Sequence, residues 1–222
     1  VGKDGIYTLY PQTASTSQKI TVTTYQSAPE NIYMIGDEFG NWTWSDPGIV
    51  TMIPVNGKAG EFWAVRYISA GKGFKWSPNK EFKGDFSKLG DATNGYILVD
   101  GNAQVAADGM YMIYIDYLNE KITIEPAGVY GMGGCFGGWE AQAYPFAVSG
   151  KKMTRTTTAE DNLRIYAWTA SSSAGGDWWR MEFILRDGVI EYRGNGGDQA
   201  AVSVAAGKTI TLDFNAGTGT IN

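Results

Sequence analysis

The sequence predicts an all-β protein made of tandem antiparallel β-sandwiches. Three observations carry that expectation: an internal repeat, apolar–polar alternation of period two within the repeated segments, and Gly-, Asn- and Asp-rich punctuation between them. Asp4-Gly5-Ile6-Tyr7-Thr8-Leu9-Tyr10, followed by Lys19-Ile20-Thr21-Val22, recurs as Asp108-Gly109-Met110-Tyr111-Met112-Ile113-Tyr114, followed by Lys121-Ile122-Thr123-Ile124. A looser copy occupies residues 206–221. A second motif, Tyr33 through Phe39-Gly40-Asn41-Trp42, returns 97 residues later as Tyr130 through Phe136-Gly137-Gly138-Trp139. The 222 residues therefore divide into 1–28, the closing hairpin or linker of a preceding module, then a first module at 29–126 and a second at 127–222. On that reading an amino-terminal part is expected upstream of Val1.

Each repeated segment reads as half-buried strand. Tyr7 and Leu9, then Ile20 and Val22, alternate with polar neighbours, as do Tyr111, Ile113 and Ile115, then Ile122 and Ile124. Asp100-Gly101-Asn102, Asp108-Gly109, Asp187-Gly188 and Gly194-Asn195-Gly196-Gly197 supply the turns. Helical periodicity is sustained nowhere. Short strands at this spacing fit antiparallel sandwiches. The brief linker Pro126-Ala127-Gly128 should hold the two modules close together.

Composition excludes several functions. Eighteen Lys and Arg against 23 Asp and Glu leave a net charge of −5. That balance argues against nucleic acid and against an anionic membrane surface, both of which need a basic face. With no histidine there is no His-based metal site and no Ser-His-Asp or Cys-His machinery, and neither metal nor cofactor is expected. The lone cysteine, Cys135, has no intrachain partner and reads as a buried, inert thiol. No apolar run approaches the roughly 20 residues of a membrane-spanning helix. Glycosidase chemistry needs two carboxylates about 5–10 Å apart across a cleft. Asp37, Glu38, Asp46, Asp85, Asp187 and Glu191 are available, but most such groups here stand beside Gly or Asn and read as turn formers. The glycines at 131, 133, 134, 137 and 138 imitate a phosphate loop, yet no helical pattern follows them.

Eight Trp and 13 Tyr are the outstanding feature of the composition. Trp42 and Trp139 each follow a Gly-containing turn, a placement that suits a loop exposed to ligand. Flat indoles on a rigid scaffold stack against the C–H face of a pyranose, and nearby charged side chains fix its hydroxyls. Lys75 and Trp76 lie in Gly73-Phe74-Lys75-Trp76. A shift of 97 residues places Phe82 against Trp179, and Arg193 lies 14 residues beyond Trp179. Each module thus offers a loop Trp, a second aromatic and a basic donor. Trp63 and Trp168 read as core residues in strands.

Ile35-Gly36-Asp37-Glu38-Phe39-Gly40-Asn41-Trp42-Thr43-Trp44, Gly60-Glu61-Phe62-Trp63, Ala70-Gly71-Lys72-Gly73-Phe74-Lys75-Trp76 and Gly84-Asp85-Phe86 closely resemble the SusE/SusF family, surface starch-binding lipoproteins of Bacteroidetes. The resemblance implies tandem starch-binding β-sandwich modules, no catalysis, and an outer-membrane lipid anchor upstream of this chain. It implies binding of starch, amylose-like α-glucans and maltooligosaccharides, in the company of other outer-membrane starch-uptake proteins. Carried over, the first site takes Trp42 with Lys75 as donor and either Phe82 or Trp76 as second aromatic. The second site takes Trp139 and Trp179 with Arg193. The loop Ser171-Ser172-Ser173-Ala174-Gly175-Gly176 departs from the family pattern. Two other readings stay open at this point: a structural or adhesive surface protein with spacer modules, and a fragment of a glycoside hydrolase.

Overall fold

Strand alternation becomes two packed sandwiches in a computed structural model that describes residues 6–10, 21–25, 27–86 and 94–222. Strands β1 (Ile6–Tyr10) and β2 (Thr21–Tyr25) pair antiparallel as a separate two-stranded sheet. The residues between them, including Lys19 and Ile20 of the repeat, lie outside the described set.

The first sandwich contains β3 (Tyr33–Gly36), β4 (Val50–Thr51), β5 (Ile53–Pro54), β6 (Glu61–Ile68), β7 (Phe74–Ser77), β8 (Ile97–Val99), β9 (Asn102–Gln104), β10 (Gly109–Asp116) and β11 (Lys121–Pro126). They form one sheet in the order β4-β3-β7-β9-β8 and another in the order β11-β10-β6-β5. In the second sandwich β12 (Val129–Gly131), β13 (Ala147–Ser149), β14 (Lys152–Thr156), β16 (Ile165–Ala167), β17 (Glu182–Arg186), β18 (Val189–Tyr192), β20 (Thr209–Asp213) and β21 (Thr218–Ile221) run β12-β16-β17-β18-β21-β20-β14-β13. Short β15 (Asp161–Asn162) and β19 (Ser203–Val204) pair separately. The quartet β21-β20-β14-β13 repeats β11-β10-β6-β5. In the second copy the two sheets join through one residue pair, Val189 with Thr218.

Strands β6 and β10 explain how the two halves are joined. Side chains alternate across a strand, so a strand apolar on both faces must be covered on both. Phe62, Ala64 and Ile68 of β6, with Ile113 and Ile115 of β10, enter the first sandwich's own core. Trp63 and Val65, with Met110, Met112 and Tyr114, point the other way and merge with the second sandwich's core around Phe183, Leu212 and Phe214. Trp63 is fully buried, with its ring 5.5 Å from Tyr192 and 6.2 Å from Phe183. Trp63 is thus the core residue expected from sequence, and the core it fills is shared. Trp168, read the same way, is only half-buried. Polar contacts reinforce the seam. Asn215 donates to the Tyr67 carbonyl and accepts from the Tyr67 amide, and Asn56 donates to the carbonyls of Gly194 and Gly196.

A core common to both sandwiches should melt as one unit. Calorimetry is expected to show a single transition, and two resolved transitions would contradict a shared core. Trp63→Ala should cost about 3–5 kcal/mol and lower Tm by roughly 10 °C, with the transition remaining single.

Candidate functional site

The repeated turn after β3 sets the first site. Gly36 approaches the carbonyl of Gly73 so closely that a Cβ would lie 2.4 Å from that oxygen, so the first residue of the turn has to be glycine. The chain then passes through left-handed conformations at Gly40, Asn41 and Trp42, with φ of 71°, 43° and 58°. A bulky residue in that region costs on the order of 1–3 kcal/mol. The Trp42 indole N–H donates to Asp37 Oδ1 at 2.7 Å, and the Gly73 amide donates to Asp37 Oδ2 at 2.7 Å. Hydrogen bonds to a carboxylate contribute about 1.5–3 kcal/mol, and the lower end applies to exposed Asp37, so these contacts roughly offset the strain. The Trp42 hydrogen bond, helped by the Gly73 amide and Lys72 and opposed by partial burial, holds the Asp37 carboxyl below its usual range.

Around this turn stand the residues expected to bind ligand. Lys75 projects from the outer face of β7 and pairs with Asp85 at 2.8 Å. Phe82 is 51% exposed, and its ring lies 5.4 Å from Trp44 at an interplanar angle of 58°. Trp42 is half-buried, at the edge of β7 beside Gly73. Trp76 is closed to any ligand. It is fully buried, edge-on to Phe74 at 5.3 Å and to Tyr96 at 6.0 Å. Neighbours in a strand face opposite ways, so Lys75 outside dictates Trp76 inside. Of the two aromatics expected as alternatives, Phe82 is the one at the surface, and its partner is Trp44.

The second sandwich repeats the turn, but only glycines take positive φ in it, +91° at Gly133 and +116° at Gly137, and Trp139 at the position of Trp42 does not. A three-residue 3-10 turn, Gly134–Phe136, lies within the glycine cluster and no helix follows it directly, so no phosphate-binding helix exists there. Cys135 is buried and its thiol is pushed up by that burial. Trp139 is 64% exposed, with its ring 6.2 Å from Trp178 at 54°. Trp178 in turn lies 6.0 Å from Tyr166. Trp179, the aromatic expected from spacing, turns away around the 3-10 segment Trp178–Met181. The guanidiniums of Arg180 and Arg193 lie 4.3 Å and 5.1 Å from its ring.

Arg193 therefore meets Trp179, as the spacing suggests, but it is also committed to the buried Glu182 at 2.7 Å. The strand register identifies a different counterpart for Lys75. Ile35 faces Lys75, and its copy 97 residues on, Met132, donates its amide to the carbonyl of Arg164. Arg164 thus occupies the position of Lys75, at an offset of 89 residues, because the connection into this strand is eight residues shorter. Arg164 binds Asp198 at 2.5 Å and Glu182 at 2.8 Å, and both carboxylates raise its pKa, Asp198 most. Asp198 is correspondingly lowered by Arg164. Asp37, Glu61, Glu140 and Asp198 are all shifted down, the reverse of what a protonated general acid needs.

A family model described as SusF/SusE starch-specific CBMs matches residues 31–125 and 128–220. Outer membrane protein SusF of Bacteroides thetaiotaomicron is 35% identical over 215 residues, covering 88% of this chain and 44% of that protein. The crystal structure of SusF from Bacteroides thetaiotaomicron superposes with a TM-score of 0.79 at 35% identity, covering 91% of this chain and 49% of that one. The chain spans less than half the length of the relative it matches.

The folded pKa of Asp37 lies below its unfolded value, so its contribution is complete above about pH 4 and disappears as pH falls through the folded pKa. Asp37→Asn should lower Tm at pH 7 by roughly 2–4 °C, for a loss of about 1 kcal/mol. The gap from wild type should close in melts below pH 4, whereas a gap independent of pH would remove Asp37 from this role.

Proposed function

The chain belongs to the family of SusF/SusE starch-specific carbohydrate-binding modules, and from that premise we propose that it binds α-1,4-glucan at two sites without cleaving it. The observation that carries this reading is the pair of tilted aromatic platforms. Trp44 with Phe82 and Trp139 with Trp178 meet at 58° and 54°. Two planes at such angles form a shallow V that follows successive glucose units of a curved α-1,4 chain. A flat β-1,4 ribbon calls for coplanar rings instead. The C–H faces of the sugars stack on the rings, and cations at the rim reach their hydroxyls. Lys75 and Arg164 fill that second role, each held in place by carboxylates. Trp42 anchors the turn that leads to Trp44, and Trp179, next in sequence to Trp178, packs against Arg180 and Arg193.

The carboxylates nearest the platforms are consumed in orienting cations and indoles, which fits retention of the polymer without hydrolysis. By likeness to the outer membrane relative, we place the protein at the outer membrane surface, beside other starch-uptake proteins and anchored outside this chain. A protease-accessibility assay on intact cells tests that placement.

Calorimetric titration with maltoheptaose should give about two sites per chain, each with Kd between about 10 µM and 1 mM. Cellohexaose should give no heat, and equal binding of both sugars would defeat the curved-platform argument. Trp44→Ala or Phe82→Ala should weaken the first site at least tenfold, and Trp139→Ala or Trp178→Ala the second. Trp179→Ala should have the smaller effect. If it instead matches Trp178→Ala, the platform has been assigned to the wrong indole.

A further inference from the structure

The serine- and glycine-rich loop that leads into Trp178 is held by the other sandwich. Glu61 starts β6 on the face that also presents Trp63 and Val65 to the second half. Its side chain is buried and takes four donors. Tyr114 Oη lies at 2.7 Å, Ser172 Oγ at 2.8 Å and the Ser173 amide at 3.2 Å, and Ser173 Oγ completes the set. Burial favours the neutral acid, but the hydrogen bonds from Ser173, Tyr114 and Ser172 outweigh it, so the group is shifted down.

Beyond Trp178 the first sandwich grips again. The Asn56 amide donates to the Arg180 carbonyl at 2.9 Å, and Arg180 Nη1 donates to the Asn56 carbonyl at 2.7 Å. The Asn56 side chain reaches Gly194 and Gly196, immediately after Arg193. Trp178 is thus bracketed by two contacts with the other sandwich, at 172–173 and at 180. Between them lie Gly175 and Gly176, where even a Cβ would meet nothing within 4 Å, so no side-chain packing holds the loop there.

We infer that Glu61 and Asn56 of the first sandwich are positioning residues for the second sugar site, which is complete only when both sandwiches are present. The inference rests on the assignment of Trp139 and Trp178 as a sugar platform. Ser172→Ala/Ser173→Ala removes two donors to Glu61 without touching the platform or the shared apolar core. In the full chain, with the first site silenced by Trp44→Ala, this pair should raise the second-site Kd for maltoheptaose about tenfold. In a Trp178→Ala background the first-site Kd should stay within twofold.

Hydrogen exchange gives a readout independent of sugar. Amides 178–181 should exchange several-fold faster in the serine variant while the strands of both sandwiches keep their protection. Arg180→Met, which removes the side-chain donor to the Asn56 carbonyl at the other end of the bracket, should reproduce the effect. Unchanged exchange at 178–181 in both variants overturns the inference, as does an unchanged second-site Kd in a chain that binds maltoheptaose. If the wild-type chain binds no maltoheptaose, the sugar-site reading fails by itself, and exchange alone decides whether the first sandwich positions Trp178.

Discussion

The sheet formed by β5, β6, β10 and β11 has no solvent face along its central strands, and the rest of the molecule is arranged to satisfy that condition. Phe62, Ala64 and Ile68 of β6 fill one core, and Trp63 and Val65 fill another. Burying an indole of about 200 Å² contributes roughly 5 kcal/mol, so Trp63 alone is worth a large part of the stability of an ordinary domain. A first sandwich standing alone would present Trp63, Val65, Met110, Met112 and Tyr114 to water as one apolar patch. Covering that patch fixes the second sandwich against the first. The linker at 126–128 then has only to be short enough to permit the contact.

Held together in this way, the two candidate sites follow one plan with different materials. Each takes its turn from the end of the first strand of its sandwich, its cation from the outer face of the next strand inward, and its second aromatic from a loop that folds back. The first turn carries non-glycine residues at positive φ and offsets their strain through Asp37. The second turn uses glycine at Gly133 and Gly137, and the cost does not arise. The first cation is a lysine with one carboxylate. The second is an arginine between two carboxylates, one of them buried and shared with a second arginine. The second site is therefore the more rigidly held, although its aromatic loop lacks side chains at 175 and 176. Support from Glu61 and Asn56 resolves that mismatch.

How much of this is legible in the sequence depends on the kind of evidence each residue leaves. The repeat and the alternation of period two predict the sandwiches and locate both turns, because those features are local. The burial of Trp63 is also readable, though not that its core is shared, since alternation says that both faces are apolar and not what covers them. Trp76 stands among the sequence candidates although parity is enough to exclude it: a residue next to outward Lys75 in a strand points inward. Arg164 escapes because counting at the fixed offset of 97 fails across a connection that loses eight residues. Strand pairing restores the correspondence that counting loses. Trp178 and Trp179 are adjacent, and only the path of the 3-10 segment decides which of them faces Trp139.

Rigidity between the sandwiches bears directly on how such weak sites could hold a polymer. A pair of weak sites on a flexible tether gains avidity in proportion to the effective concentration that the tether allows, and that gain falls as the tether lengthens. Here no tether intervenes, because Trp63, Glu61 and Asn56 fix one site relative to the other. The ordering cost of bringing two sites to one ligand has already been met on folding, so it does not recur on binding. The restriction is geometric in return: a single glucan strand engages both platforms only if its own curvature spans their fixed separation. On the proposed function, short oligosaccharides would then see two independent weak sites, and only a long chain would experience the protein as one receptor.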